Sequence, residues 1–285
     1  MENLTNPSVI KPIMQKHGFD FSKKLGQNFI INSGICPKMA QMADIDGKGV
    51  IEIGPGVGVL TNELSKRAKK VVAFEIDTRL IPVLTETLSD CDNVKIISGD
   101  VMKQDLKTII AQEFGDMPVS VCANLPYYIT SPIIMMLLEN NLPIDSITVM
   151  VQKEAAQRLC APLPSRQAGA ITAAVNYYGT PRLLFNVSRG SFLPAPNVDS
   201  AVIRIDIEKR FGLEGPLEKA FFRFIKAAFA QRRKTLPNTL SSQLPISSAE
   251  IAEILQGLNI KPTARAEELC LEEMILLSNA LYNRL

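Results

Sequence analysis

The chain has 285 residues, of which 46% are hydrophobic and 21% charged, a balance typical of a soluble globular protein with one large and one small domain. The formal net charge of +2 gives no overall signal for nucleic acid, so such a signal must be local. No uncharged apolar run reaches about 18 residues and the N-terminus has no apolar signal segment, so we expect neither a membrane span nor secretion.

The cysteines are odd in number and widely spaced. They stand at positions 36, 91, 122, 160 and 270 and form no C-x-x-C pair. This pattern is typical of reduced thiols in cytosol rather than of disulfides or a zinc site. We therefore expect a cytoplasmic protein without a metal ion.

Short β-branched segments alternate with helical patterns over the first two thirds of the chain, which is typical of a parallel sheet with crossover helices. The predicted strands are residues 50–53, 71–75, 94–98, 120–122 and 147–151, each followed by a helix, and a final pair at 182–187 and 201–207. The link within the final pair is too short for a crossover helix, which predicts an antiparallel hairpin. The fold class is therefore α/β, a Rossmann-like sheet that is parallel apart from one antiparallel strand.

The pattern changes after residue 207. Residues 208–216 carry two glycines and are predicted to be a linker. Residues 217–285 have helical periodicity and no strand signal. We predict a large domain of residues 1–208 and a small all-α domain of residues 209–285.

The ends of the first three predicted strands carry residues that suit a nucleoside. Residues 52–58 read EIGPGVG, in which Gly54 and Gly56 let the backbone turn sharply and approach a ligand closely. Glu75 lies about 20 residues further on, where a doubly wound fold places an acid on a ribose hydroxyl. Asp100, after the third strand, is placed to accept from an adenine amino group. These three positions predict one pocket, whereas the simpler interpretation is tight turns with solvated acids.

One residue distinguishes between the cofactor classes. Val59 stands where a dinucleotide fingerprint requires glycine. S-adenosylmethionine has no pyrophosphate to bind, so the G-x-G-x-G pattern favours it over NAD.

The fourth strand runs into Asn124-Leu125-Pro126-Tyr127, and it should lie beside the first strand at the point where ligands bind in such sheets. The side-chain oxygen of Asn124 and the carbonyl oxygen of Leu125 could accept the two hydrogens of an adenine amino group. Pro126 stiffens the loop, and Tyr127 offers a flat face to an extruded base. This chemistry needs no histidine base, and His17, the only histidine, is predicted to be a solvated surface residue. The alternative is a proline-stiffened turn with a buried tyrosine.

With these motifs the chain resembles the KsgA/RsmA family, the bacterial small-subunit (16S) rRNA adenine N6,N6-dimethyltransferases. The matching stretches are KLGQNF (24–29), EIGPGVG (52–58), EID (75–77), NLPY (124–127), QKE (152–154), FLPAPNVDSAV (192–202) and QRRKT (231–235). The resemblance implies a class I S-adenosylmethionine methyltransferase fold. It also implies a substrate of two adjacent adenines in the 3′-terminal hairpin loop of 16S rRNA, each dimethylated within an immature 30S subunit by a monomeric enzyme.

The resemblance also implies roles for individual residues. Asn28 and the backbone of Ile30 would contact S-adenosylmethionine together with Gly54, Glu75, Asp100 and Asn124. Phe192 would join Tyr127 in holding the flipped adenine, although from the sequence alone a core aromatic is the more common role. The family usually has leucine at position 30 and often asparagine at position 128, so Tyr128 is given no role.

A basic stretch is predicted to contact RNA phosphates. Residues 219–234 contain six positive charges and no acid, namely Lys219, Arg223, Lys226, Arg232, Arg233 and Lys234. The phenylalanines between them have helical spacing and are predicted to be core, which leaves the basic side chains outside. A weaker basic cluster comprises Lys11, Lys16, Lys23 and Lys24. The alternative for both is a solvated surface.

Three other functions are alternatives for this sequence. A resistance-type methyltransferase of large-subunit (23S) rRNA shares the cofactor and catalytic motifs, but residues 192–202 and 231–235 favour the small-subunit family. A ribosome assembly factor without required catalysis would not need Glu75, Asp100, Asn124 and Tyr127. An NAD-dependent oxidoreductase is disfavoured by Val59 and the NLPY loop.

Overall fold

The protein is described by a computed structural model, which covers residues 4–19, 28–208 and 211–284. The chain forms two compact units. The first contains Met1–Ala156 and Arg182–Ile207, and the second contains Gln157–Pro181 and Glu208–Leu285.

A seven-stranded sheet organises the first unit, in the order β4-β3-β2-β5-β6-β9-β7. The strands of the described chain are β1 (Phe29–Ile30), β2 (Gly49–Ile53), β3 (Lys70–Glu75), β4 (Val94–Ser98), β5 (Val119–Asn124), β6 (Ser146–Gln152), β7 (Gly179–Val187), β8 (Phe192–Leu193) and β9 (Ser200–Ile207). Parallel pairing joins β4, β3, β2, β5 and β6, whereas β9 pairs antiparallel with β6. The seven strands predicted from the sequence and the fold class are confirmed.

Helices follow the first five strands of this sheet, as predicted, because each parallel connection needs a crossover. The helices are α1 (Pro7–Lys16), α2 (Ile35–Met42), α3 (Val59–Ser65), α4 (Ile81–Thr87), α5 (Leu106–Phe114), α6 (Thr130–Glu139), α7 (Lys153–Leu159), α8 (Ala170–Tyr178), α9 (Pro216–Ala228), α10 (Leu236–Ser241), α11 (Ser248–Gly257) and α12 (Leu271–Ala280). The central strands β2 and β5 are buried almost throughout, as expected for strands covered by helices on both faces. Their carboxyl ends therefore emerge together at one edge of the sheet.

The sequence did not predict β1 and β8. These two-residue strands form a separate antiparallel ribbon, in which Phe29 pairs with Leu193 and Ile30 pairs with Phe192. The ribbon joins the N-terminal segment to the loop that precedes β9.

The second unit is built on an aromatic and aliphatic core. Phe221 and Phe224 of α9 are fully buried, which confirms the core prediction for these two, whereas Phe222 and Phe229 are partly buried and pack against the same core. Tyr177 of α8 packs against Phe221 with ring centroids 5.0 Å apart. This contact explains why residues 157–181 belong with the C-terminal helices, whereas the sequence had assigned them to a domain of residues 1–208.

Several smaller predictions concern absent features. The five cysteines are free thiols. Among the described residues no cluster of side chains suits a metal ion, and no helix is long and apolar enough to cross a membrane.

His17 is not the solvated surface residue that the sequence predicted. It is partly buried, and its Nε2 atom lies 2.7 Å from Oε2 of Glu86 on α4.

Candidate active site

An open pocket lies at the carboxyl edge of the sheet, where β2, β3 and β5 end. Its empty space, counted together with the solvent at its mouth, is about 870 Å3. It is lined by Asn28, Phe29, Ile30, Glu52, Gly54, Pro55, Gly56, Val57, Val59, Leu60, Glu75, Ile76, Leu80, Asn124, Leu125, Pro126, Tyr127 and Tyr128. Parallel strands bring these distant stretches of sequence to one place.

The loop after β2 presents backbone rather than side chain to the pocket. Gly54 has a φ of +71°, a conformation that L side chains rarely adopt, and a Cβ atom added there would meet no protein atom within 4 Å. The space beside Gly54 is therefore open to a ligand. The backbone there would admit a nucleoside-bearing cofactor, and its contact with Gly54 stays a prediction.

Glu75, the last residue of β3, closes one side of the pocket. Its Oε2 accepts from the backbone N–H of Gly56 at 3.2 Å, and its Oε1 accepts from that of Asp77 at 2.8 Å. Burial raises the pKa of this carboxyl, and the two backbone donors oppose the rise. The hydrogen bonds fix the carboxylate at the strand end, with lone pairs left for a ribose hydroxyl.

Asp100 follows β4 and does not line the pocket. Its Oδ1 accepts from the backbone N–H of Met102 at 3.0 Å and thereby caps the following 3-10 turn. The predicted contact between Asp100 and an adenine amino group stays a prediction.

Asn124 and Leu125 line the pocket at the end of β5. Asn124 is the last residue of β5, opposite Met150 of β6, and the N–H of Leu125 donates to the Met150 carbonyl at 3.1 Å. Leu125 is 1% exposed, so its side chain anchors the loop in the core. The Asn124 amide has no hydrogen-bond partner among the described residues, which leaves it available to a substrate.

Tyr127 is held in place by its hydroxyl group. The phenol oxygen lies 2.6 Å from the Ser200 hydroxyl on β9. Burial raises the pKa of Tyr127, and the bond to Ser200 opposes this. The neighbouring Tyr128 also lines the pocket but is 64% exposed.

Phe192 is not one of the residues that line the pocket. It is 2% exposed and belongs to the hydrophobic core of the first unit. The ribbon nevertheless pairs Phe192 with Ile30, which does line the pocket. A contact between Phe192 and a flipped base stays a prediction.

The six basic residues of the predicted RNA surface are all exposed. Lys219, Arg223 and Lys226 lie on α9, and the other three follow it. Arg232 also makes hydrogen bonds to the backbone. Its guanidinium donates to the carbonyl of Arg166 at 2.7 Å and to that of Ala168 at 3.4 Å. In the weaker cluster Lys11 is exposed and Lys16 pairs with Glu86, whereas Lys23 and Lys24 lie outside the described residues.

Sequence reasoning missed three residues of this site. Glu52 was part of a recognised motif but was given no role, because its complete burial is a property of the fold. Ser200 lies 73 residues from Tyr127, and no local pattern signals their contact. Tyr128 was set aside, although an aromatic residue beside Tyr127 was itself a signal.

Comparisons with known proteins show the family of the chain. Residues 18–282 match the family described as "Ribosomal RNA adenine dimethylase". "Ribosomal RNA small subunit methyltransferase A" of Geobacillus kaustophilus is 47% identical, over 98% of this chain and 97% of that protein. The protein of the same name from Clostridioides difficile is 43% identical, over 100% of this chain and 99% of the relative.

Solved structures give the same picture. A dimethyladenosine transferase from Plasmodium falciparum superposes with a TM-score of 0.74 at 25% identity, covering 90% of this chain and 98% of that one. The 23S rRNA methyltransferase ErmE superposes with a TM-score of 0.68 at 25% identity, covering 89% and 99%.

Proposed function

The chain belongs to the ribosomal RNA adenine dimethylase family, and we propose that it dimethylates N6 of two adjacent adenines in the 3′-terminal hairpin loop of small-subunit (16S) rRNA. The methyl donor is S-adenosylmethionine. The enzyme acts as a monomer in the cytoplasm on an immature 30S subunit. Curated relatives at 43–47% identity over nearly the whole chain carry a small-subunit name, which supports this choice of substrate.

The observation that carries the proposal is that Asn124 and Leu125 line the same pocket as Gly54 and Glu75. The Asn124 side-chain oxygen and the Leu125 carbonyl oxygen accept the two N6 hydrogens of adenine. These bonds draw electron density onto an amine whose lone pair is otherwise delocalised into the ring, and they favour tetrahedral geometry at nitrogen. Such placement of charge-stabilising groups contributes on the order of 10²–10³ in rate.

The other residues of the pocket hold the two reactants. S-adenosylmethionine supplies an electrophilic methyl group on a positively charged sulfur. Gly54 and Gly56 approach it with backbone, Glu75 accepts from its ribose hydroxyls, and Asn28 and Ile30 form the opposite wall. Asp100 accepts from its adenine amino group.

The base is held by aromatic rings. Tyr127, fixed through Ser200, offers a stacking face to the extruded adenine, and Phe192 packs from the ribbon side. No histidine lines the pocket, and none is needed, since the proton left on the methylated amine is acidic enough to pass to water.

The helical unit supplies phosphate contacts. Its exposed basic residues set the position of the RNA and make binding salt-dependent, but they carry little sequence information. Target choice therefore comes from the shape of the RNA and from the adenine pocket.

A second candidate is methylation of a large-subunit rRNA adenine, favoured by the likeness to ErmE. The experiment that separates the two uses labelled S-adenosylmethionine with 30S and 50S subunits from an unmethylated strain, followed by nucleoside mass spectrometry. We expect N6,N6-dimethyladenosine in 16S rRNA alone. Label in 23S rRNA would favour the second candidate, and particle binding without label would favour an assembly factor.

A further inference from the structure

A buried acid with one unsatisfied oxygen stands at the cofactor pocket. Glu52, on β2, is 1% exposed and lines the pocket close to Gly54. Its Oε2 atom makes no hydrogen bond with any residue that the structure describes. Buried polar groups are nearly always satisfied, so this carboxyl is positioned to meet a group that the chain does not supply.

The titratable groups around Glu52 are acids and thiols. They lie on four elements: Cys36 on α2, Glu63 on α3, Glu75 on β3 and Cys122 on β5. Two cations border this cluster. Lys66 pairs with Glu63 at 2.5 Å, and Arg204, which acts on Cys122, pairs with Asp206 at 2.7 Å. Both cations are engaged by other acids, so Glu52 has no cation of its own among the described residues.

A buried carboxyl that has acids and thiols around it, and no cation of its own, favours the protonated, neutral form. Burial raises the pKa of Glu52 to about 8, Glu75 adds to the rise, and Thr61 opposes it. A positive charge placed in the pocket reverses this preference, because it stabilises the ionised form.

We propose that Glu52 binds the positively charged end of S-adenosylmethionine, and that its neutral carboxyl releases a proton to solvent as the cofactor enters. One O–H bond of Glu52 breaks, the buffer takes the proton, and the carboxylate pairs with the positive charge of the cofactor. No bond of the cofactor changes. The inference rests on the proposed function for the identity of the ligand, and it adds a proton to that binding equilibrium.

Isothermal titration calorimetry tests this directly. S-adenosylmethionine is titrated into the full-length protein at pH 6.5 in buffers of different ionisation enthalpy, and the slope of the observed enthalpy gives the protons released. We expect on the order of one proton for the wild type. Glu52→Gln should release almost none and should bind on the order of tenfold more weakly. Glu63→Gln is the matched control, since it removes a nearby acid and should release protons as the wild type does.

Infrared difference spectroscopy tests the proton release in the wild type alone, so the result does not depend on whether a variant folds. The C=O stretch of a protonated carboxyl should be lost from the wild type when S-adenosylmethionine is added, with no turnover needed. S-adenosylhomocysteine separates the two charges of the cofactor: release with both ligands assigns the pairing to the α-ammonium group, and release with S-adenosylmethionine alone assigns it to the sulfonium.

The outcomes separate this inference from the function on which it rests. Cofactor binding without proton release, or undiminished release in Glu52→Gln, overturns the inference alone. Failure of the wild type to bind S-adenosylmethionine at all overturns both.

Discussion

The hydroxyl oxygens of Tyr127 and Ser200 lie 2.6 Å apart, and this bond joins the loop after β5 to the antiparallel strand β9. Ser200 is fully buried, so its hydroxyl has a fixed position. The Tyr127 ring, which is only partly buried, is thereby held at one orientation over the pocket.

We therefore expect Ser200→Ala to lower kcat/KM for RNA by about two- to tenfold, the value of one hydrogen bond. Binding of S-adenosylmethionine should not change, because Ser200 does not line the pocket. Tyr127→Phe removes the same bond and keeps the ring, so the double variant should be no slower than either single one. Additive losses measured by steady-state kinetics would contradict this account.

Asn124→Ala should reduce methyl transfer on the order of 10²–10³-fold, because it removes one of the two acceptors for N6. The fold should persist, since β5 keeps its backbone pairing with β6. Initial rates with labelled cofactor measure the effect, and Asn283→Ala, at an exposed position, is the matched control. Near-normal turnover by Asn124→Ala would remove the proposed mechanism.

Gly54→Ala should weaken cofactor binding beyond its effect on stability. An added Cβ meets no protein atom there, but it occupies the space beside the pocket. Gly47 has nearly the same backbone conformation, with φ of +74° against +71°, and equally open surroundings, so Gly47→Ala isolates the cost of backbone strain. Both variants should lose similar stability in thermal melts, whereas calorimetry should show weaker binding for Gly54→Ala only. Equal affinities would place the cofactor elsewhere.

Glu52→Gln should stabilise the cofactor-free protein increasingly as the pH rises. Burial raises the pKa of Glu52 to about 8, above the value of 4.5 for an ordinary glutamate, so the folded state binds this proton more tightly than the unfolded state does. The resulting contribution to stability is complete below about pH 4.5 and is lost as the pH rises through about 8. Between pH 6 and pH 9 the wild type should lose about 3 kcal/mol that the variant keeps. Denaturant unfolding at several pH values measures the difference, and Glu214→Gln, at an exposed position, should show none.

Arg233→Glu should weaken binding to the ribosomal particle. The slope of log K against log salt should fall by about one for each phosphate that the variant no longer neutralises. Arg232 is a poorer choice, because its guanidinium also donates to two backbone carbonyls. Lys69→Glu gives the same change in charge at the start of β3, the sheet edge opposite the pocket, and should leave binding unchanged. If the two substitutions weakened particle binding equally, RNA would not bind at the basic residues of the helical unit.

The sequence predicted most of the pocket because parallel strands impose one geometric rule. Once Gly54, Glu75 and Asn124 are assigned to strand ends, the sheet brings them to the same edge. Asp100 also follows a strand end, that of β4, where its side chain caps the next turn, and its contact with the adenine amino group stays a prediction. Contacts between distant segments follow no such rule.

Two features show why these contacts were missed. The ribbon of β1 and β8 has two residues in each strand, too few for any periodicity to be visible. The isolation of Glu52 depends on which groups surround it in three dimensions, and its motif predicts only that it stands beside the glycine loop. Burial and pairing of this kind are properties of the packed chain rather than of any segment.

The short ribbon also has a mechanical consequence. Ile30 is part of the wall that the donor would touch, and its partner Phe192 begins the segment that returns to β9. With only two residue pairs, the ribbon is not stable alone, so its position depends on the packing of Ile30 and Phe192 in the same hydrophobic core. The side of the pocket that would hold the donor and the segment that carries Phe192 therefore share one short piece of backbone pairing.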